Sequence, residues 1–123
     1  MVNAFNNYVF LTGCRVPWID AGRVAEMPPG DMKKVEVPGQ PAVALFNVDG
    51  RFYATQDHCT HARASLTESG RLTDTVIECG WHFGTFDVIT GQALTAPCRR
   101  PLKTYPTSVV DDRVMIEVES SDS

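Results

Sequence analysis

Two short motifs constrain this chain more than anything else in it: Cys59-Thr60-His61 and Cys79-Gly80-Trp81-His82, with 17 residues between His61 and Cys79. Together they read C-x-H-x17-C-x-x-H. Within each motif a sulfur and an imidazole are close enough to share one loop tip. A fold that brings the two tips together presents two sulfurs and two nitrogens to one centre, a four-ligand metal site. A structural zinc ion takes Cys₂His₂ tetrahedrally. Zinc motifs usually pair like ligands, however, whereas each motif here mixes one Cys with one His. A [2Fe-2S] cluster accounts for the mixing, because each loop can send its Cys to one iron and its His to the other. Zinc is the rival reading of the same four residues, and it predicts an interaction module without redox activity.

Composition limits what surrounds that centre. With 123 residues, 43% hydrophobic and 21% charged, the chain suits one globular domain from about residue 5 to residue 118, followed by a tail at 119–123 of disordered composition. The formal net charge is -4, and the basic residues are scattered apart from Lys33-Lys34 and Arg99-Arg100, so no nucleic-acid partner is expected. The longest apolar run, Ala42 to Phe46, is far below the roughly 20 residues that span a bilayer. The first ten residues lack a basic segment followed by an apolar one, so a cytoplasmic protein without a membrane partner is expected. That location argues against disulfides. Cys14 and Cys98, which have no histidine nearby, are then buried or half-buried unbridged thiols.

The class is all-β. Val, Ile, Phe and Tyr alternate with polar residues in short segments bounded by Gly, Pro, Asp or Asn. The clearest hairpin joins 43–48 to 51–55 through Asp49-Gly50, a pair suited to a type I′ turn. A second joins 108–110 to 113–118 through Asp111-Asp112. Further strands are expected at 8–12, 34–37, 76–79 and 85–88, with turns at 27–30 and 37–39. A helical turn is expected around 20–24, and a short turn or loop at 62–68.

On these residues the sequence resembles the Rieske-type [2Fe-2S] ferredoxins that serve bacterial aromatic-ring-hydroxylating dioxygenase systems. The resemblance runs through the Cys59-Thr60-His61 loop, 76–79, His82 to Asp87, Thr90-Gly91, Pro97 and Leu102 to Pro106. It implies a β-sandwich base with a smaller cluster-binding lobe at about 57–97. It also implies Cys59 and Cys79 on the inner iron, and His61 and His82 on the outer. The implied function is to carry one electron from a flavin-dependent NAD(P)H reductase to the terminal oxygenase, as a monomer and without catalysing a reaction itself. The small subunit of an assimilatory nitrite reductase shares the motif and is the alternative.

Further positions refine that expectation. A mononuclear iron site of two histidines and a carboxylate, as in oxygenase subunits, needs histidines this chain lacks after His82. No G-x-G-x-x-G fingerprint is present for a flavin or nicotinamide. The Rieske subunits of cytochrome bc-type complexes look similar but carry a disulfide between the loops and hydroxyl donors to the cluster site. The matching positions here are Ala64 and Trp81 for the disulfide, and Gly84 and Phe86 for the donors. Fewer hydrogen bonds to sulfur imply a potential near the low end of the Rieske range, roughly -150 mV. Two ferric irons, two sulfides and two thiolates leave the charge near -4 when oxidised and about -5 when reduced, which suits a basic partner surface. Trp81 and Phe83 are expected to shield the cluster from water, with a place on the partner surface as the alternative. Pro97 is expected in a loop covering the cluster, with a plain turn as the alternative, and His58 is expected to be structural or at the surface.

Overall fold

The computed structural model describes residues 8–10, 17–60, 63–81 and 83–118. The tail at 119–123, Cys14, and the predicted strand positions 11 and 12 lie outside the described residues. The elements in chain order are β1 (Tyr8–Phe10), β2 (Pro17–Arg23), a 3₁₀ turn (Val24–Glu26), β3 (Met32–Val37), β4 (Gln40–Val48), β5 (Arg51–Gln56), α1 (Leu66–Ser69), β6 (Arg71–Thr73), β7 (Val76–Glu78), β8 (Thr85–Asp87), β9 (Ala93–Thr95), β10 (Thr104–Tyr105), β11 (Thr107–Val110) and β12 (Arg113–Glu117). They form three antiparallel sheets, ordered β1-β2-β12-β11, β10-β5-β4-β3 and β6-β7-β8-β9. No described helix is long and apolar enough to cross a membrane.

Strand β4 explains how the sheets stack. Successive side chains of a strand point to opposite faces. Val43 and Leu45 join one buried cluster with Ile19, Val35, Phe52, Val114 and Ile116, which fills the space between the first two sheets. Ala44 and Phe46 join a second cluster with Cys59, Leu66, Ile77, Cys79, Phe86 and Cys98. One strand therefore serves two cores, which is why Val43 to Phe46 is an unbroken apolar run rather than an alternating one. The hairpin after it turns through Asp49 (φ 51°) and Gly50 (φ 90°), with Val48 paired to Arg51. Asn47 fastens the turn from inside: its Oδ1 accepts from Gly50 N at 2.8 Å, and its Nδ2 donates to Met27 O at 2.7 Å.

The helical turn expected at 20–24 is corrected by the structure, where β2 runs through Arg23 and only Val24–Glu26 coil. Burial decides it: Ile19 and Ala21 point into the core, and Ile19 pairs with Ile116 of β12. Asp20 bonds Arg113 of β12 and accepts from Gly22 N, whose residue has φ 117°, so the strand ends in a local turn rather than starting in one. Four strands, β2, β6, β9 and β10, go beyond those expected from sequence. Three of them are two or three residues long and lack an alternating pattern of their own.

Candidate metal centre

Three loops converge on the second core. The first follows β5 and is clamped at its base by Asp57. That carboxylate, 3% exposed, accepts from Ser65 Oγ (2.6 Å), Thr67 N (3.0 Å) and Thr67 Oγ1 (2.7 Å), with Lys34 Nζ at 3.8 Å. The backbone closes the same neck, with Cys59 N donating to Ala64 O, Leu66 N to Asp57 O, and a bridge pairing His58 with Ser65. Ser65 also caps α1 by accepting from Glu68 N. The neck of this loop, with Cys59 at its foot, is thereby held from both sides. His58 points to solvent, in keeping with a surface role.

The second loop joins β7 to β8 and is tighter. Cys79 N donates to Gly84 O, and Phe83 N donates back to Cys79 O. Gly80 lies against the Ser69 backbone so closely that a Cβ would overlap it. Phe83 occupies the left-handed region at φ 62°, which costs an aromatic residue about 1–2 kcal/mol. The third loop follows β9, contains a cis Ala96-Pro97 bond, and returns beside the first, where Thr60 Oγ1 donates to Arg100 O at 2.9 Å.

Cys59, Cys79 and Cys98 all end up buried, at 2%, 0% and 5% exposure, and none is disulfide-bonded. The Sγ atoms of Cys59 and Cys98 are 3.9 Å apart. Burial first, and then the neighbouring Cys59 and Cys79, push the Cys98 thiol up to about 12. His61 and His82 lie outside the described residues, and among the described residues no three His, Cys, Asp or Glu side chains converge as metal ligands. What the structure brings together is the sulfur half of the expected donor set: Cys59 and Cys79, unbridged, in one apolar cluster. Buried thiols pack as small hydrophobes, and their soft sulfurs, once deprotonated, select iron–sulfur, copper(I) and zinc groups. The donor chemistry therefore fits a thiolate-bound metal group.

Trp81 and Phe83 are 57% and 67% exposed and form an apolar rim on the second loop, which favours the partner-surface alternative over shielding. Pro97 is also exposed, on the third loop. Cys98 is the neighbour of Cys59 that sequence reading missed. It stands 39 positions from Cys59, and no local pattern signals their contact.

An all-β fold that buries unbridged thiols at the feet of two loops, each pairing a Cys with a His in sequence, fits an iron–sulfur protein of the mixed-ligand class. The family model described as Rieske [2Fe-2S] domain matches residues 17–106, and the chain belongs to that family. It is 46% identical over 101 residues to the naphthalene 1,2-dioxygenase system ferredoxin component of Pseudomonas aeruginosa, covering 82% of this chain and 95% of that one. Its fold is similar to the Sphingomonas yanoikuyae B1 ferredoxin, with TM-score 0.74 and 41% identity over 79% of this chain and 94% of that one. It is also similar to a chain in a complex of reduced oxygenase and oxidized ferredoxin in carbazole 1,9a-dioxygenase, with TM-score 0.79, 38% identity, and coverage of 81% and 92%.

Proposed function

We propose that the protein is the electron-carrying ferredoxin of an aromatic-ring-hydroxylating dioxygenase system, taking one electron from a flavin-dependent NAD(P)H reductase and delivering it to a terminal oxygenase. The Rieske-type [2Fe-2S] cluster, when bound, supplies one-electron redox chemistry. Cys59 and Cys79 would hold its inner iron, and His61 and His82 its outer iron. Neutral imidazoles from His61 and His82 would leave their iron less negative than the one held by the thiolates, so the edge carrying His61 and His82 would serve electron entry and exit. The observation that carries the reading is the placement of Cys59 and Cys79, buried and unbridged, at the feet of the two motif loops.

The rest of the chain supports a carrier rather than a catalyst. Residues 57–97 act as the cluster-binding lobe, with Asp57 and the Gly80 and Gly84 turns holding its loops. Trp81 and Phe83 are the apolar contacts of the docking face, and the net charge of -4 steers the protein toward basic partner surfaces. Redox encounters of this kind are small and transient. A monomer in the cytoplasm, where thiols stay reduced, fits this role.

The test is a reconstitution. A dioxygenase reductase, NADH and the matching terminal oxygenase should oxidise an aromatic substrate only when this protein is added. No stimulation there, together with electron delivery to a sirohaem nitrite reductase, would reverse the reading.

A further inference from the structure

Cys98 is the buried sulfur left over once the ligands are assigned, and its position is built from three sides. Its Sγ lies 3.9 Å from Cys59 Sγ, within reach of an S–H···S hydrogen bond. Its own N–H donates to Thr95 O, and two residues on, Arg100 O accepts from Thr60 Oγ1, which ties the third loop to the first. On the remaining side Gly84 presents bare backbone, and a Cβ there would overlap Cys98 Sγ. The second loop has thus left room for this thiol at the position that the sequence comparison marks as lacking a hydroxyl donor.

In the metal-free chain either sulfur of the pair could donate. Iron binding removes that ambiguity. A coordinating thiol is deprotonated, so Cys59 can then only accept, and the proton between the two sulfurs belongs to Cys98. A hydrogen bond to a ligand sulfur favours the more negative, reduced state and raises the potential.

We propose that Cys98 is a positioning residue whose S–H donates to the Cys59 thiolate ligand and makes the protein easier to reduce. The proposal rests on the assignment of Cys59 as a ligand. It adds a donor, supplied by the third loop, to a centre that has no side-chain hydroxyl at positions 84 and 86.

The experiment is a redox titration of holoprotein carrying Cys98, Cys98→Ala or Cys98→Ser, with an EPR spectrum of each reduced sample. Cys98→Ala should lower the one-electron reduction equilibrium about tenfold, a midpoint about 59 mV more negative. Cys98→Ser, which keeps a donor, should recover most of the loss. If wild-type protein lacks the EPR signature of a mixed His and Cys cluster, the ligand assignment fails. If the signature is present and both variants stay within about twofold of wild type, the assignment stands and the Cys98 proposal is overturned. Where a variant does not retain its cluster, the wild-type site decides the matter by redox-difference infrared spectroscopy in a Cys14→Ser background. An S–H stretching band that moves on reduction and on deuteration supports the proposal, and its absence overturns it.

Discussion

The base and the lobe share strand β4, yet they hold together by different means. The base core is built from Val, Ile, Leu, Ala, Met and Phe side chains and lies between two sheets whose strands reach nine residues. The lobe core sits against a sheet of three-residue strands and includes three cysteines. Regular pairing suffices for the base. In the lobe the loops are set by side chains, chiefly Asp57 and Thr60, and by glycines that admit close backbone approach. A region held this way depends on its metal group more than the base does, because binding energy then substitutes for missing sheet.

Replacing a ligand should produce the largest effect and separate the two regions. Cys79→Ser is expected to abolish cluster incorporation, measured as iron and labile sulfide per chain. Amide exchange should then rise at 76–87 while 43–55 stays protected. Loss of protection in both regions together would mean that the cores are one cooperative unit. Next come the core truncations. Phe86→Ala should cost about 3–5 kcal/mol and hasten cluster loss, whereas Ile116→Ala should cost about 2–5 kcal/mol and leave the EPR spectrum of the reduced protein unchanged.

Asp57→Asn probes the clamp between them. The amide can no longer accept from both Ser65 and Thr67, so denaturant unfolding should show a loss of about 2 kcal/mol. The rim should respond in function alone. Trp81→Ala and Phe83→Ala should raise the oxygenase's KM for reduced protein roughly 5–30-fold, the range of an interface anchor, with stability within about 0.5 kcal/mol and the midpoint unmoved.

The smallest effect concerns pH. Lys34 beside Glu68 holds that carboxyl below its ordinary value, and Arg23 does the same to Asp112. A depressed carboxylate stabilises above its unfolded pKa and loses that contribution as pH falls through the folded value. A slight fall in Tm below about pH 4 is therefore expected. Glu68→Gln should flatten the part that comes from the tie between α1 and β3, the two elements that Lys34 and Glu68 connect.

The base was legible in the sequence where its signals are local. Asp49-Gly50 between two apolar segments defines a hairpin on its own, and so does the alternation of Val114 and Ile116. Strand β2 was not legible, because Asp20 and Gly22 look like turn residues until Arg113 and β12 are in place beside them. In the lobe the motif cysteines announce themselves by spacing, and the structure buries them together. Sequence alone did not choose between shielding and the partner surface for Trp81 and Phe83, since the exposure of large apolar side chains on a tight loop runs against their usual preference. The approach of Cys98 to Cys59 depends on a third loop that meets the first only in the folded chain.

Nitrogen ENDOR on reduced holoprotein labelled with ¹⁵N-histidine tests the central claim most directly. Two directly coordinated histidine nitrogens, lost one at a time in His61→Cys and His82→Cys, are the predicted result. An all-cysteine spectrum with no histidine coupling, or a colourless and EPR-silent protein holding zinc, would contradict the account.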